Sequence, residues 1–121
     1  MSASPHGLVL MLYEGAMLAV SAARMHMQLG QKAEKSRAIS KAIAIISDGL
    51  MASLDTRAGG EIAERLLVLY QYMIEKLSEA NVRNLPDPLE EVGRLLADLN
   101  DAWKSIAKTP AAQAAAVDAG T

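Results

Sequence analysis

Residues 84–107 read NLPDPLEEVGRLLADLNDAWKSIA, and this stretch decides the fold class. Asn84-Leu85-Pro86 interrupts the chain. Asp87 then stands at an N-cap position, Pro88 at the first helical position, and Glu90 where a capping-box acid reaches back. Beyond it Leu89, Val92, Leu95, Leu96, Leu99, Trp103 and Ile106 share one stripe at about 100° per residue, with Glu90, Arg94, Asp98 and Asp101 opposite. Such a helix has one face to bury and needs other helices to bury it.

Three more helices are predicted upstream. Ser4-Pro5 reads as N-cap and first helical residue, and Gly30 follows the last periodic residue, so the first helix covers residues 4–29. The second covers 34–55. Thr56-Arg57-Ala58-Gly59-Gly60 breaks the pattern, and the third covers 60–80. The fourth ends near Ala107, where Thr109-Pro110 stops it; residues 108–121 form an Ala-rich tail, loose or a short helix. No strand-like alternation competes. Connections of a few residues between helices of about 20 force neighbours to run antiparallel, so the expected fold is an all-α, antiparallel up-down four-helix bundle in residues 1–107.

The composition agrees. At 121 residues the chain suits one domain. It is 51% hydrophobic but 3% aromatic with no Phe, so its core is built from Leu, Ile, Met, Val and Ala, which favours helices. A net charge of −2 gives no footprint for nucleic acid. Charge is uneven: Arg24, Lys32, Lys35, Arg37 and Lys41 face only Glu14 and Glu34 in residues 1–47. That reads as a solvated helix end or, alternatively, as a docking patch for an acidic partner. With no Cys there is no disulfide or thiolate chemistry, which suits a reducing cytoplasm. Residues 8–23 are apolar enough to suggest a signal peptide, but no Lys or Arg precedes them and Glu14 sits in their middle, so neither export nor membrane insertion is expected.

Chemistry is sparse. There is no Glu-x-x-His pair, and His6 and His26, about 30 Å apart on one helix at 1.5 Å per residue, cannot share a metal. Nucleophile-elbow, phosphate-loop and dinucleotide motifs are absent. The acids of the fourth helix read as solvated surface. No catalytic residue, metal ligand or cofactor is expected.

The wide apolar faces are the informative feature. The third helix has a core stripe of Ile62, Leu66, Leu69, Met73 and Leu77 and, beside it, a second row of Ala63, Leu67, Tyr70 and Ile74, with the Tyr70 hydroxyl expected at the wet rim. The second helix carries Ile39, Ile43, Ile46, Leu50 and Leu54, with Ala38, Ile45 and Ala52 widening the face. On the first helix Leu8, Leu12, Ala16, Ala19 and Ala23 form the core side, and Leu10, Tyr13 and Met17 are expected on the far side. The surplus allows a compact Ala-rich core with scattered surface Leu, grooves for partner helices, or self-association.

Several segments, in order, resemble one family: Ser4-Pro5-His6 through Leu10-Met11-Leu12-Tyr13-Glu14-Gly15-Ala16, then Ala38-Ile39-Ser40-Lys41-Ala42, Leu50-Met51-Ala52-Ser53-Leu54-Asp55, Gly59-Gly60-Glu61-Ile62-Ala63, Leu69-Tyr70-Gln71-Tyr72-Met73 and Asp101-Ala102-Trp103-Lys104. Together they are similar to the FliS family of flagellin export chaperones. The resemblance implies a cytosolic, non-enzymatic bundle that binds the disordered C-terminal segment of flagellin, prevents early polymerisation and presents it to the flagellar type III export gate. The groove residues expected from it and from the apolar faces are Leu10, Tyr13, Met17, Leu50, Leu54, Leu67, Tyr70 and Ile74. Members of the family usually carry a groove-covering segment ahead of the Ser-Pro start, whereas here three residues precede Ser4. The tail, residues 111–121, is the expected substitute cover. The competing expectation is a self-associating bundle, with a homodimer formed through the extra stripes and no flagellin client.

Overall fold

A computed structural model describes residues 5–105. Four helices account for nearly all of them: α1, Pro5–Gln28; α2, Lys32–Ala44; α3, Thr56–Arg83; and α4, Pro86–Ser105. The chain is an all-α four-helix bundle whose consecutive helices run antiparallel across short turns. α1 packs most closely, against α2 on one flank and α4 on the other; α3 closes the square diagonally opposite α1. The tail and Ile106 lie outside the described residues.

Each turn has a local cause. Gly30 adopts φ 72°, and the amides of Gln31 and Gly30 return to the carbonyls of His26 (2.9 Å) and Met27 (3.1 Å), a Schellman closure. At the end of α3 a left-handed Asn84 (φ 54°) plays the same part, with the Leu85 amide bonded to the Ala80 carbonyl. Lys35 reinforces this end. Its ammonium donates to the Asn81 carbonyl (3.1 Å) and to Asn84 Oδ1 (3.0 Å), so a cation satisfies the negative end of α3. Lys35 is therefore buried rather than part of a solvated basic cluster.

Two boundaries differ from the sequence expectation. The second helix does not stay α-helical to Asp55: Ile45–Met51 is a π-helical segment that continues α2. Gly49 lies where this segment meets α1, and a Cβ there would stand 2.8 Å from Leu12 Cδ2. The third helix begins earlier than Gly60, because the Asp55 carboxylate accepts from the amides of Arg57 and Ala58, both at 3.1 Å, and caps a first turn. Gly60 (φ 56°, ψ −130°) then kinks the helix instead of starting it. Pro86 opens α4 two residues before the expected Pro88.

The core contains Val9, Tyr13, Ala16, Val20 and Ala23 of α1; Ile39, Ala42, Ile46 and Leu50 of α2 and its extension; Ala63, Leu66, Tyr70, Met73 and Leu77 of α3; and Leu89, Val92, Leu96 and Trp103 of α4. Ile62, expected in the core, is 40% exposed, because α3 is rotated so that Ala63 and Tyr70 point inward.

Candidate functional site

At the centre of the bundle α1, α3 and α4 are joined by hydrogen bonds. Trp103 Nε1 donates to the Tyr13 hydroxyl at 2.8 Å, and the Tyr13 and Tyr70 hydroxyls bond to each other. Burial pushes the Tyr13 hydroxyl up to about 12, partly offset by the bonds from Tyr70 and Trp103. Burial also raises Tyr70, and the neighbouring Tyr13 raises it further. Both phenols therefore stay neutral, and the network stabilises the bundle without offering a reactive group. His6 covers this end, its ring 5.6 Å from that of Trp103. Among the described residues no group of three His, Cys, Asp or Glu side chains converges to hold a metal.

This centre corrects three of the expected groove residues. Tyr13, Tyr70 and Leu50 are sealed in the core, and the Tyr70 hydroxyl is bonded inside rather than at a wet rim. The helical wheels put Tyr13 on the outer side of α1, but the inward direction of α1 is set by Val9, Ala16 and Val20, and Tyr13 falls among them.

The other five, Leu10, Met17, Leu54, Leu67 and Ile74, are half-buried at the surface. They divide between two edges of the bundle. The Ser36 hydroxyl donates to Asn81 Oδ1 at 2.9 Å, fixing which shoulder of α2 meets α3. Ile43 lies seven residues after Ser36, while Ile74 and Leu67 lie seven and fourteen residues before Asn81, so antiparallel register brings these apolar positions along one α2–α3 seam. Leu54, in the following connection, is half-buried against the core. On the opposite edge Met17 lines a groove of about 310 Å³ between α1 and α4, with Ser21, Arg24, Gly93, Arg94 and Ala97. Arg24 reaches across it to Glu90 at 3.4 Å, a half-exposed ion pair that closes one end. Leu10 stands on this side of α1.

Ile43, expected in the core stripe of the second helix, is half-buried, and Met11, Leu18 and Met25 are exposed; the seven-residue spacing is visible in the sequence, but which side of α1 faces inward is not. By length and composition α1 is apolar enough to cross a membrane, yet its inner face belongs to the core.

The described surface thus carries half-buried apolar side chains along two edges of the bundle. Residues 1–110 match the family described as Flagellar protein FliS. The flagellar secretion chaperone FliS of Salmonella typhimurium is 50% identical over 106 residues, covering 88% of this chain and 78% of that protein. The protein of the same name from Escherichia coli is 41% identical over 110 residues, 91% of this chain and 81% of that protein. The Bacillus subtilis counterpart is 31% identical over 103 residues, 85% and 75% respectively.

Proposed function

The chain belongs to the FliS family of flagellar proteins, and from that premise we propose that it is a cytosolic export chaperone for flagellin, binding the disordered C-terminal segment of its client. Holding that segment keeps flagellin from polymerising before export and presents it to the type III export apparatus, with an export-gate component as a further partner. The family is a chaperone family and not an enzyme class.

The observation that carries the reading is the α2–α3 row of Ile43, Leu67 and Ile74, apolar and half-buried, with half-buried Leu54 in the connection between the two helices. A disordered segment that folds on binding loses several kcal/mol to ordering, and an apolar seam offsets that loss by burying the hydrophobic face of a short client helix. Leu10 and Met17 on the α1–α4 edge offer a second contact for the same client.

The test mixes the protein with a flagellin C-terminal peptide and follows mass, helicity and heat. Expected are a stoichiometric complex, gained helix and a negative heat-capacity change. Replacing Leu67 and Ile74 by Asp should weaken binding at least about tenfold with helicity retained, because each removes apolar contact and desolvates a carboxylate. Tyr70→Asp is unsuitable, since a charge there would sit in the core. Undiminished binding by the double variant would remove the α2–α3 seam from the mechanism; absence of any complex with the unaltered protein would end the chaperone reading.

A further inference from the structure

Irregular backbone gathers where α2 passes into α3. Ile45–Met51 is wound as a π-helix between ordinary turns: the Ile45 amide returns to the carbonyls of Ala42 and Lys41, and the Ser53 amide to that of Gly49 at 3.1 Å. In an α-helix the Leu50 carbonyl would accept from the Leu54 amide. Here that amide goes to the Met51 carbonyl (3.1 Å), and the Ser53 hydroxyl donates to Leu50 instead (3.0 Å). Further on, Gly60 at φ 56° separates the first turn of α3 from the rest of that helix, with nothing within 4 Å of a built Cβ.

The widened stretch holds one residue more than an α-helix would. Lys35, Ile39, Ala42, Ile46 and Leu50 are buried, and Leu54 packs against the same core. Their spacing is four, three, four, four and four. At 3.6 residues per turn, a stripe stays on one face by mixing threes and fours, and three successive fours carry it about 120° away. The wider π turn keeps these side chains together.

Rewound as α, the same residues point elsewhere. Leu54 lies eighteen residues after Ser36, five complete turns, so an uninterrupted α-helix sets it directly in line with Ser36. Ser36 faces α3 through its bond to Asn81, and half-buried Ile43, seven residues after it, falls within about 20° of the same line. The α register thus takes Leu54 from the core to the α2–α3 row of Ile43, Leu67 and Ile74. It also gives the Leu50 carbonyl the Leu54 amide in place of the Ser53 hydroxyl. Each register has its cost. The π form keeps a leucine against the core with poorer helical bonding, whereas the α form restores the bonding, turns Ser53 inward and exposes Leu54.

We propose that the end of α2 is a register switch, π while the α2–α3 seam is empty and α when an apolar client segment fills the seam and covers Leu54. The trigger rests on the client reading above. A ligand shifts such an equilibrium only by contacting its two states unequally, and Leu54 supplies the inequality. The break at Gly60 gives the first turn of α3 a hinge on which to follow.

Couplings across hydrogen bonds, measured by NMR on the full isotope-labelled chain, read the switch directly. Without peptide the Leu54 amide should couple to the Met51 carbonyl, and with saturating flagellin C-terminal peptide to the Leu50 carbonyl. Deleting Asp48, the exposed residue of the π stretch, restores a spacing of four, three, four, three and four, which fixes Leu54 inward on an ordinary α-helix. That chain should keep its helicity and bind peptide about tenfold more weakly, the loss of one leucine's burial. Ser53→Ala removes the donor that serves the π form and should tighten binding about threefold. A complex in which the Leu54 amide stays on Met51 overturns the inference and leaves the chaperone reading standing, as does undiminished binding by the folded Asp48 deletion. Where the deleted chain does not fold, the coupling in the unaltered protein decides alone. Absence of any complex overturns both readings.

Discussion

Tyr13 shows how much one hydroxyl decides. It accepts from Trp103 and is hydrogen-bonded to the Tyr70 hydroxyl, so Tyr13→Phe leaves a buried indole N–H and a buried phenol without their partner. The expected cost is about 1–3 kcal/mol in chemical denaturation. Tyr72→Phe, at the surface, should change stability by less than about 0.5 kcal/mol. The same pair sets an alkaline limit. In the unfolded chain both phenols ionise near 10, while in the bundle Tyr13 holds its proton to about 12 and Tyr70 is also raised. Above pH 10 the unfolded state therefore binds fewer protons, and stability falls as pH rises from about 10 toward 12 by about 1.4 kcal/mol per pH unit for each tyrosine. Tyrosinate absorbance and helicity should change together for this pair. Tyr72, raised chiefly by its hydrogen bond to Glu91, should ionise without unfolding. The apolar row of the third helix marks Tyr70 in the sequence, but nothing there discloses the hydroxyl's partner 57 residues away.

At the level of the element, breaks were easier to read than helical detail. Gly30, the Asn84-Leu85-Pro86 interruption and the Thr56–Gly60 region all lie at ends or kinks, because each supplies a φ or a missing donor that helices use there. The π-helical stretch of α2 carries the weak helix formers Ser47, Asp48 and Gly49, but nothing in that run specifies a π geometry, and Gly49 lies close against Leu12 of α1. The two neighbouring glycines of α3 give a sharp test. Gly60 has a φ and ψ open essentially to glycine alone, with nothing within 4 Å of a built Cβ, so Gly60→Ala should cost about 1–3 kcal/mol through backbone strain only. Gly59 is helical, and Gly59→Ala should leave stability unchanged or raise it by up to about 1 kcal/mol. Thermal melts of the two variants should move in opposite directions; a shared loss would mean the kink is not where the strain lies.

For the whole molecule, the division of surfaces matters more than any one contact. The α2–α3 seam is apolar, so client affinity should change less than about threefold between 50 mM and 500 mM salt, whereas binding steered by the basic residues of the first two helices would fall steeply. Salt-dependent calorimetry with the flagellin peptide decides between them. Binding to the folded state alone should also raise the melting temperature with peptide concentration.

The linear order of residues was enough to determine four helices, their antiparallel course and a surplus of apolar surface, because periodicity, caps and breakers act within a few residues of one another. It also carried the FliS resemblance in ordered segments. Tertiary structure alone decided which side of each stripe turned inward. A helix with apolar residues around much of its circumference has no unique buried face until its neighbours dock. Docking drew Tyr13, Tyr70 and Leu50 into the core and left Met11, Leu18 and Met25 outside.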